Sequence, residues 1–411
     1  MRRVLFLVHR IPYPPNKGDK IRSFNILRHL SRSCRVSLGC FYDDPEDIAH
    51  VPALAEWCAE VHALPLRPSR ARLSSLRGLL SGEPLTLPYY RDPQMIEWVR
   101  ARLNGGMDRV VIFSAAMAQY LSAGDYANRR VVVDFVDVDS EKWRQYAPDC
   151  HFPMNLLYRR EAERLLAFER DLAARADAAV FVSEEEAALF RGLAPEIAAR
   201  VHAVDNGVDT DYFSPERSYP NPYAEGERHL VFTGAMDYRA NVDAVRWFAE
   251  EVFPRIIARV PEARFTIVGA RPAPAVQRLA RHPAITVTGT VPDVRPWQAH
   301  AAAAVAPLRI ARGVQNKVLE AMSMGLAVVA TPQAIDGLRG GADLEWRVSE
   351  DPEALAELAV QVLTDRAMAR RLGEAGRRNV LALYAWDSHM ARFADLMDGG
   401  NGGPLKQRRM A

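Results

Sequence analysis

Short uninterrupted apolar runs punctuate the first half of the chain, at Val4 to Val8, Arg35 to Phe41, Arg109 to Ser114, Val131 to Val136 and Ala178 to Ser183. Each has the length of a strand, and the stretches between them carry apolar positions at helical spacing, as in Ile21 to Leu30. Strands that alternate with helices predict a parallel sheet, because each crossover between parallel neighbours needs a helix. The alternation then begins again, with strand-like runs over 229–236, 263–270, 284–290, 302–308 and 326–332 and a helical pattern over Val242 to Ile257. Between the two series lies a stretch crowded with proline and glycine, from "DNGVD" to "SPERSYPNPYAEGE" (205–227), where periodicity stops. The pattern therefore predicts an α/β protein of two doubly wound, Rossmann-like domains, 1–205 and 206–385. A last helix at about 386–398 is placed to pack back on the first domain, and the glycine-rich residues 399–411 read as a flexible tail.

Length agrees with two domains, since 411 residues exceed what one ordinary core encloses. The balance of 53 basic and 51 acidic residues gives a net charge of +2, which excludes a global field for nucleic acid. Cys34, Cys40, Cys58 and Cys150 show no ligand spacing and read as reduced, cytoplasmic thiols. The opening apolar run is too short for a signal peptide, and no stretch approaches a membrane span.

In open parallel sheets ligands bind outside the carboxyl ends of the strands, so chemistry is sought in the loops there. After the strand ending near Thr233 comes "GAMDYRAN", where Gly234 permits close approach of a ligand and Arg239 and Asn241 precede a helix. Arg239 is either a phosphate partner or an exposed helix-start arginine. Further on, the amides of Gly313, Val314, Gln315 and Asn316 at a helix entry, with the charge of Lys317, suit a diphosphate. Glu320, one turn on, can accept hydrogen bonds from two vicinal hydroxyls of a ribose. The plainer reading is a helix entry whose glutamate offsets the dipole. Asp137 either accepts a proton from an acceptor hydroxyl or caps the next helix. Asp137 and Asp139 form a DxD triplet, a weak metal signal that two α/β series argue against. His9 and Arg10 follow the first strand and either line a cleft or serve structure. A serine elbow, a Walker lysine and a complete dinucleotide fingerprint are all missing from the sequence.

The stretch "GVQNKVLEAMSMGLAVVATP", with "ANVDAVRWF" (240–248), "DNGVDTDYFSP" (205–215), "VSEEEAALF" (182–190) and "HRIPYPPNKGDKIRSFNIL" near the start, resembles the GT-B glycosyltransferases of family 4. Among these the chain is most similar to the sugar transferases of exosortase-linked exopolysaccharide loci. The resemblance implies a GT-B fold with an interdomain cleft and retaining, metal-independent transfer from a nucleoside diphosphate sugar, with no cofactor. The acceptor would be lipid-linked or a saccharide, and the nucleotide-sugar donor would sit in the second domain. By position, Glu320 would hold the ribose, and Lys317 with the amides from Gly313 to Asn316 would serve the diphosphate. Gly18 would approach the reacting sugar, with Asp19 and Lys20 as weaker candidates. Two departures stand out: Arg312 occupies the position of the family's first glutamate, and Ala235 that of its common arginine, whose charge Arg239 would supply instead. A non-catalytic nucleotide-sugar-binding partner and a transferase with a small soluble acceptor remain as alternatives.

Residues 66–82 interleave Arg67, Arg70, Arg72 and Arg77 with Leu73, Leu76, Leu79 and Leu80. Read as one helix, the segment suits peripheral docking on an anionic membrane. It equally suits a helix that packs its leucines on the first domain.

Overall fold

The computed structural model describes residues 1–15, 18–148, 150–311, 314–341 and 344–400. The chain divides into two compact units, one of Met1–Asn206 with the chain from Asp387 on, the other Gly207–Trp386.

The first unit is built on a seven-stranded sheet of β1 (Arg2–Val8), β2 (Cys34–Tyr42), β3 (Glu60–Pro65), β4 (Arg109–Phe113), β5 (Arg130–Val136), β6 (Ala178–Phe181) and β7 (Val201–Ala203). Its order is β3-β2-β1-β4-β5-β6-β7, and neighbours run parallel. β1 lies inside the sheet, between β2 and β4 and covered on both faces, so Val4 to Val8 are at most 1% exposed. That double burial is the reason the central strands read as continuous apolar runs. β3 and β7, which the apolar pattern did not predict, are the edge strands. With one side open, "EVHALP" and "VHA" need no such run.

The second unit repeats the plan with β8 (Arg228–Thr233), β9 (Ala263–Val268), β10 (Ile285–Val287), β11 (Ala303–Ala306), β12 (Val328–Ala330) and β13 (Arg347–Val348). The order β10-β9-β8-β11-β12-β13 is again parallel throughout. In each sheet the winding reverses once, between β1 and β4 and between β8 and β11. Such a reversal splays the flanking loops apart and opens a crevice at the strands' carboxyl ends.

Two helical expectations change. The pattern over 242–257 resolves into helix Arg239–Trp247, a widened π turn Phe248–Val252, and helix Phe253–Ile257. Pro254 explains the break: its nitrogen has no hydrogen to donate and its ring crowds the carbonyl four residues back. Residues 66–82 form two short helices, Pro68–Ser75 and Arg77–Ser81, instead of one, with Leu73, Leu76, Leu79 and Leu80 exposed. The reading in which these leucines pack on the first unit is therefore overturned.

The final helix, Trp386–Asp398, is bonded to the first sheet's surroundings: Asp387 meets Arg32 at 2.9 Å, and the Leu396 carbonyl accepts from Arg130 at 2.9 Å. Of the expected tail, residues 401–411 lie outside the described residues. No described helix is long and apolar enough to cross a membrane.

Candidate active site

In the second unit the loops at the β8/β11 reversal bring three predicted residues into contact. Gly234 follows β8, Asn241 lies in the first turn of helix Arg239–Trp247, and Lys317 lies in the first turn of helix Asn316–Ser323 after β11. The Asn241 side chain is 5% exposed; its amide nitrogen donates to the Ala235 carbonyl at 2.9 Å, which leaves its oxygen to accept from the Lys317 ammonium. The same ammonium stands 4.8 Å over the Phe232 ring. Gly234 has φ +155°, and a Cβ there would lie 2.7 Å from the Asn241 amide nitrogen and 3.6 Å from the Lys317 nitrogen. Glycine is thus required by the convergence itself. Behind it, a Cβ on Gly269 would fall 1.6 Å from the Gly234 carbonyl oxygen, so the ends of β8 and β9 also approach closely only because residue 269 is a glycine.

Glu320 is three residues after Lys317 and shares its helix face. Burial pulls the Lys317 ammonium down to about 8, against the field of Glu320. Burial likewise pushes the Glu320 carboxyl up to about 7, against the field of Lys317. Each charge is only partly compensated by the other. Among the described residues no hydrogen bond reaches the Glu320 carboxylate. Val314, Gln315 and Asn316 are half-buried at the helix entry, with Gln315 extended as the cap residue. The amides of Val318 and Leu319 return to the Gln315 carbonyl, whereas those of Asn316 and Lys317 precede the helix's own ladder. Arg312 and Gly313 lie outside the described residues. Arg239 is exposed at its helix start, and no described residue forms an ion pair with it.

In the first unit, Gly18 is exposed as the first residue of helix Gly18–Ser31. Asp19 beside it takes Arg10 at 2.6 Å and stands 3.6 Å from His9, and the hydrogen bond with the His9 ring together with the Arg10 charge holds its carboxyl well below the usual range despite burial. His9 stacks on Phe113 with ring centroids 5.6 Å apart and meets Tyr90 edge-on at 5.8 Å. Arg10 also pairs with Asp43 at 3.0 Å. A polar cluster thus gathers where β1, β2 and β4 end, at the reversal point of this sheet. Lys20, a candidate from the sequence, is instead sealed in the interior, 1% exposed and 2.7 Å from Asp47. Its chemistry is spent on a structural pair.

Asp137 does not cap the following helix, Asp139–Tyr146. That entry shows no side-chain cap, and the Val138 amide donates to Glu186 at 2.8 Å. Asp137 pairs with Lys142 at 2.7 Å, and Asp139 holds the same ammonium at 3.0 Å. Just before it, Val136 has φ +70° where the β5/β6 register shifts, a strained setting for a β-branched residue.

Tyr90 and Asp43 were not predicted, because each lies in a loop with no local motif and meets His9 or Arg10 only through the fold. The Arg295 guanidinium, 3.6 Å over the Tyr212 ring, was missed for the same reason. Tyr212 lies close enough to Glu320 to feel its charge, and the Phe213 carbonyl accepts from Ser323, one turn after Glu320.

Residues 227–365 match the family model described as Glycosyl transferases group 1. A GDP-mannose-dependent alpha-(1-6)-phosphatidylinositol monomannoside mannosyltransferase of Mycobacterium tuberculosis is 28% identical over 225 residues, covering 49% of this chain and 57% of that protein. The protein of the same description from Mycolicibacterium smegmatis is 27% identical over 247 residues, covering 54% and 63%. The chain thus spans about three fifths of the length of these curated relatives. Among solved structures, HepE of Anabaena in complex with UDP and glucose superposes with a TM-score of 0.65 at 13% identity, covering 97% of this chain and 100% of that one. WaaG, a glycosyltransferase involved in lipopolysaccharide biosynthesis, gives a TM-score of 0.63 at 18% identity, with 97% and 100% covered. The two Rossmann-like sheets are those of the GT-B fold.

Proposed function

We propose that the protein is a glycosyltransferase that moves a sugar, with retention and without a metal, from a nucleoside diphosphate sugar to a lipid-linked or glycan acceptor. The observation that carries this reading is the partly compensated Lys317–Glu320 pair beside Gly234, at the strand reversal of the second unit. A donor supplies what each group lacks. Its diphosphate offers anionic oxygens to the Lys317 ammonium, and its ribose offers two hydroxyl donors to the Glu320 carboxylate.

Transfer breaks the bond between the anomeric carbon and the diphosphate oxygen and forms one from that carbon to the acceptor oxygen, whose proton is released. Negative charge grows on the departing diphosphate. A fixed ammonium in a partly desolvated setting stabilises that charge more in the transition state than in the bound donor. Asn241, which holds the ammonium, is a positioning residue in this scheme. Arg239 supplies a second cation to the phosphates, and Gly18 and the His9–Asp19 cluster serve the acceptor side, with Asp137 as a further proton acceptor. The sequence resemblance and the lipopolysaccharide role of WaaG support a place in exopolysaccharide or cell-surface glycan assembly, with cytoplasmic chemistry at the inner face of the membrane.

A thermal-shift screen of the full chain against UDP, GDP, ADP, dTDP and their sugars, with and without magnesium, tests the donor site. A metal-independent rise with one nucleotide is expected, about 2.7 kcal/mol of stabilisation at a hundred times Kd. That nucleotide names the base, on which the GDP-mannose-dependent relatives and the UDP-bound neighbours differ. A rise with its sugar but no transfer to any lipid or saccharide acceptor would favour a non-catalytic binding partner.

A further inference from the structure

Two segments of the first unit meet at a surface that is both apolar and basic. In the helices Pro68–Ser75 and Arg77–Ser81, Ala71 and Gly78 face inward while Leu73 and Leu80 are 71% and 93% exposed, with Leu76 and Leu79 also outward. The start of helix Met154–Arg175 lies against them. Arg160 donates to the Gly78 carbonyl at 2.5 Å, and Glu161 accepts from the amides of Leu85 and Thr86 at 2.8 and 3.1 Å. Leu156, one turn before Arg160 on the same face, is exposed, as are Met154 and Phe152, the last at 78%.

Single exposed apolar side chains are ordinary, but a contiguous set drawn from two segments marks an interaction surface. The charges identify the partner. Residues 66–82 contain four arginines and no acid, and residues 150–159 add the exposed Arg159, again without an acid, whereas Arg160 is taken up by Glu161 and the Gly78 carbonyl. Arg67, Arg70, Arg72 and Arg77 are exposed, and none has an ion-pair partner among the described residues. We infer that this surface docks the first unit on an anionic phospholipid bilayer, with the leucines and Phe152 in the acyl boundary and the arginines on lipid phosphates. Helices of eight and five residues cannot span a bilayer, so the contact lies in the interfacial plane. The inference deepens the proposed transfer to a lipid-linked acceptor and rests on that reading for its purpose, though its test does not.

Flotation of the full chain with phosphatidylcholine vesicles, with and without phosphatidylglycerol, reads docking directly. Binding should require phosphatidylglycerol and weaken with salt. Arg70→Ala/Arg72→Ala should lower the partition about 25-fold, roughly five-fold for each charge. Leu73→Ser/Leu80→Ser should lower it at least about ten-fold while the melting temperature stays unchanged, because both leucines are already in water. No flotation with phosphatidylglycerol, or flotation that survives both double variants, overturns the inference. So does a lipid-free dimer in light scattering that Leu73→Ser/Leu80→Ser dissolves, since the surface then belongs to a second copy. The nucleotide screen is run on the same samples. Flotation without any nucleotide response would defeat the transferase reading and leave the docking surface standing, and the reverse outcome would defeat only the docking surface.

Discussion

Two lysines, Lys20 and Lys317, each enter the first turn of a helix that follows a polar loop in a doubly wound unit, and each stood in the sequence as a candidate for the site. Lys20 is 2.7 Å from Asp47 in a sealed interior, facing a carboxylate from the short helical turn Pro45–His50. Lys317 faces an amide oxygen and, one turn on, a carboxyl that is itself pushed towards neutrality. The first arrangement sets an ammonium directly against a carboxylate oxygen. The second keeps two ionisable groups shifted towards their neutral forms, which a diphosphate and a ribose would reverse.

The comparison is most exposed to test at Lys20. Lys20→Ala strands a buried Asp47, and the loss of stability in urea denaturation should be about 3–5 kcal/mol. Lys317→Ala should do the opposite: stability holds or rises, because a poorly solvated charge is removed, while kcat falls about 100- to 1,000-fold. If Lys317→Ala unfolded the protein and kept turnover per folded molecule, the two lysines would be alike and the site assignment wrong. Asn241→Ala should release the ammonium without removing it, for a loss of about ten-fold in kcat with donor affinity changed less. A loss equal to that of Lys317→Ala would show that Asn241 itself touches the reacting groups.

An effect of similar size to that of Asn241→Ala is expected in pH. Glu320 has its folded pKa raised to about 7, so its contribution to the stability of the free protein is full below the unfolded value near 4.5 and is lost as pH rises through 7. Lys317 has its folded pKa lowered to about 8, so its contribution is full above 10.5 and is lost as pH falls through 8. Near neutrality the free protein bears part of both penalties, and a bound donor relieves them. Donor affinity, measured with the nucleotide sugar so that no terminal phosphate titrates, should peak between pH 7 and 8 and fall about ten-fold from pH 8 to pH 6 as Glu320 protonates. Glu320→Gln should bind more weakly and flatten that acid limb. An unchanged limb in Glu320→Gln would assign the titration to another group.

How far the sequence reached depends on whether a feature is local. Central strands such as β1 and β8 were legible because burial on both faces demands a continuous apolar run, whereas the edges β3, β7 and β13 were not, because an edge strand carries no such demand; the edge β10 was legible only through its own β-branched run. Gly234, Lys317 and Glu320 were legible as types in a spacing: a glycine after a strand, a lysine in a first turn, a carboxylate one turn later. The contact from Asn241 to Lys317 spans 76 positions, and no local pattern announces it. The same limit hid Tyr90 and Asp43 beside His9 and Arg10.

What the sequence determined by itself was therefore the double α/β alternation and the residue types at the strand ends, since periodicity and local turn chemistry are written within a few residues of each position. What only the tertiary structure decided was which charges are matched and which apolar faces are covered. Lys20 found Asp47, Asn241 found Lys317, and Leu73 and Leu80 found no cover, because pairing and burial depend on neighbours that the chain brings together from tens of residues away.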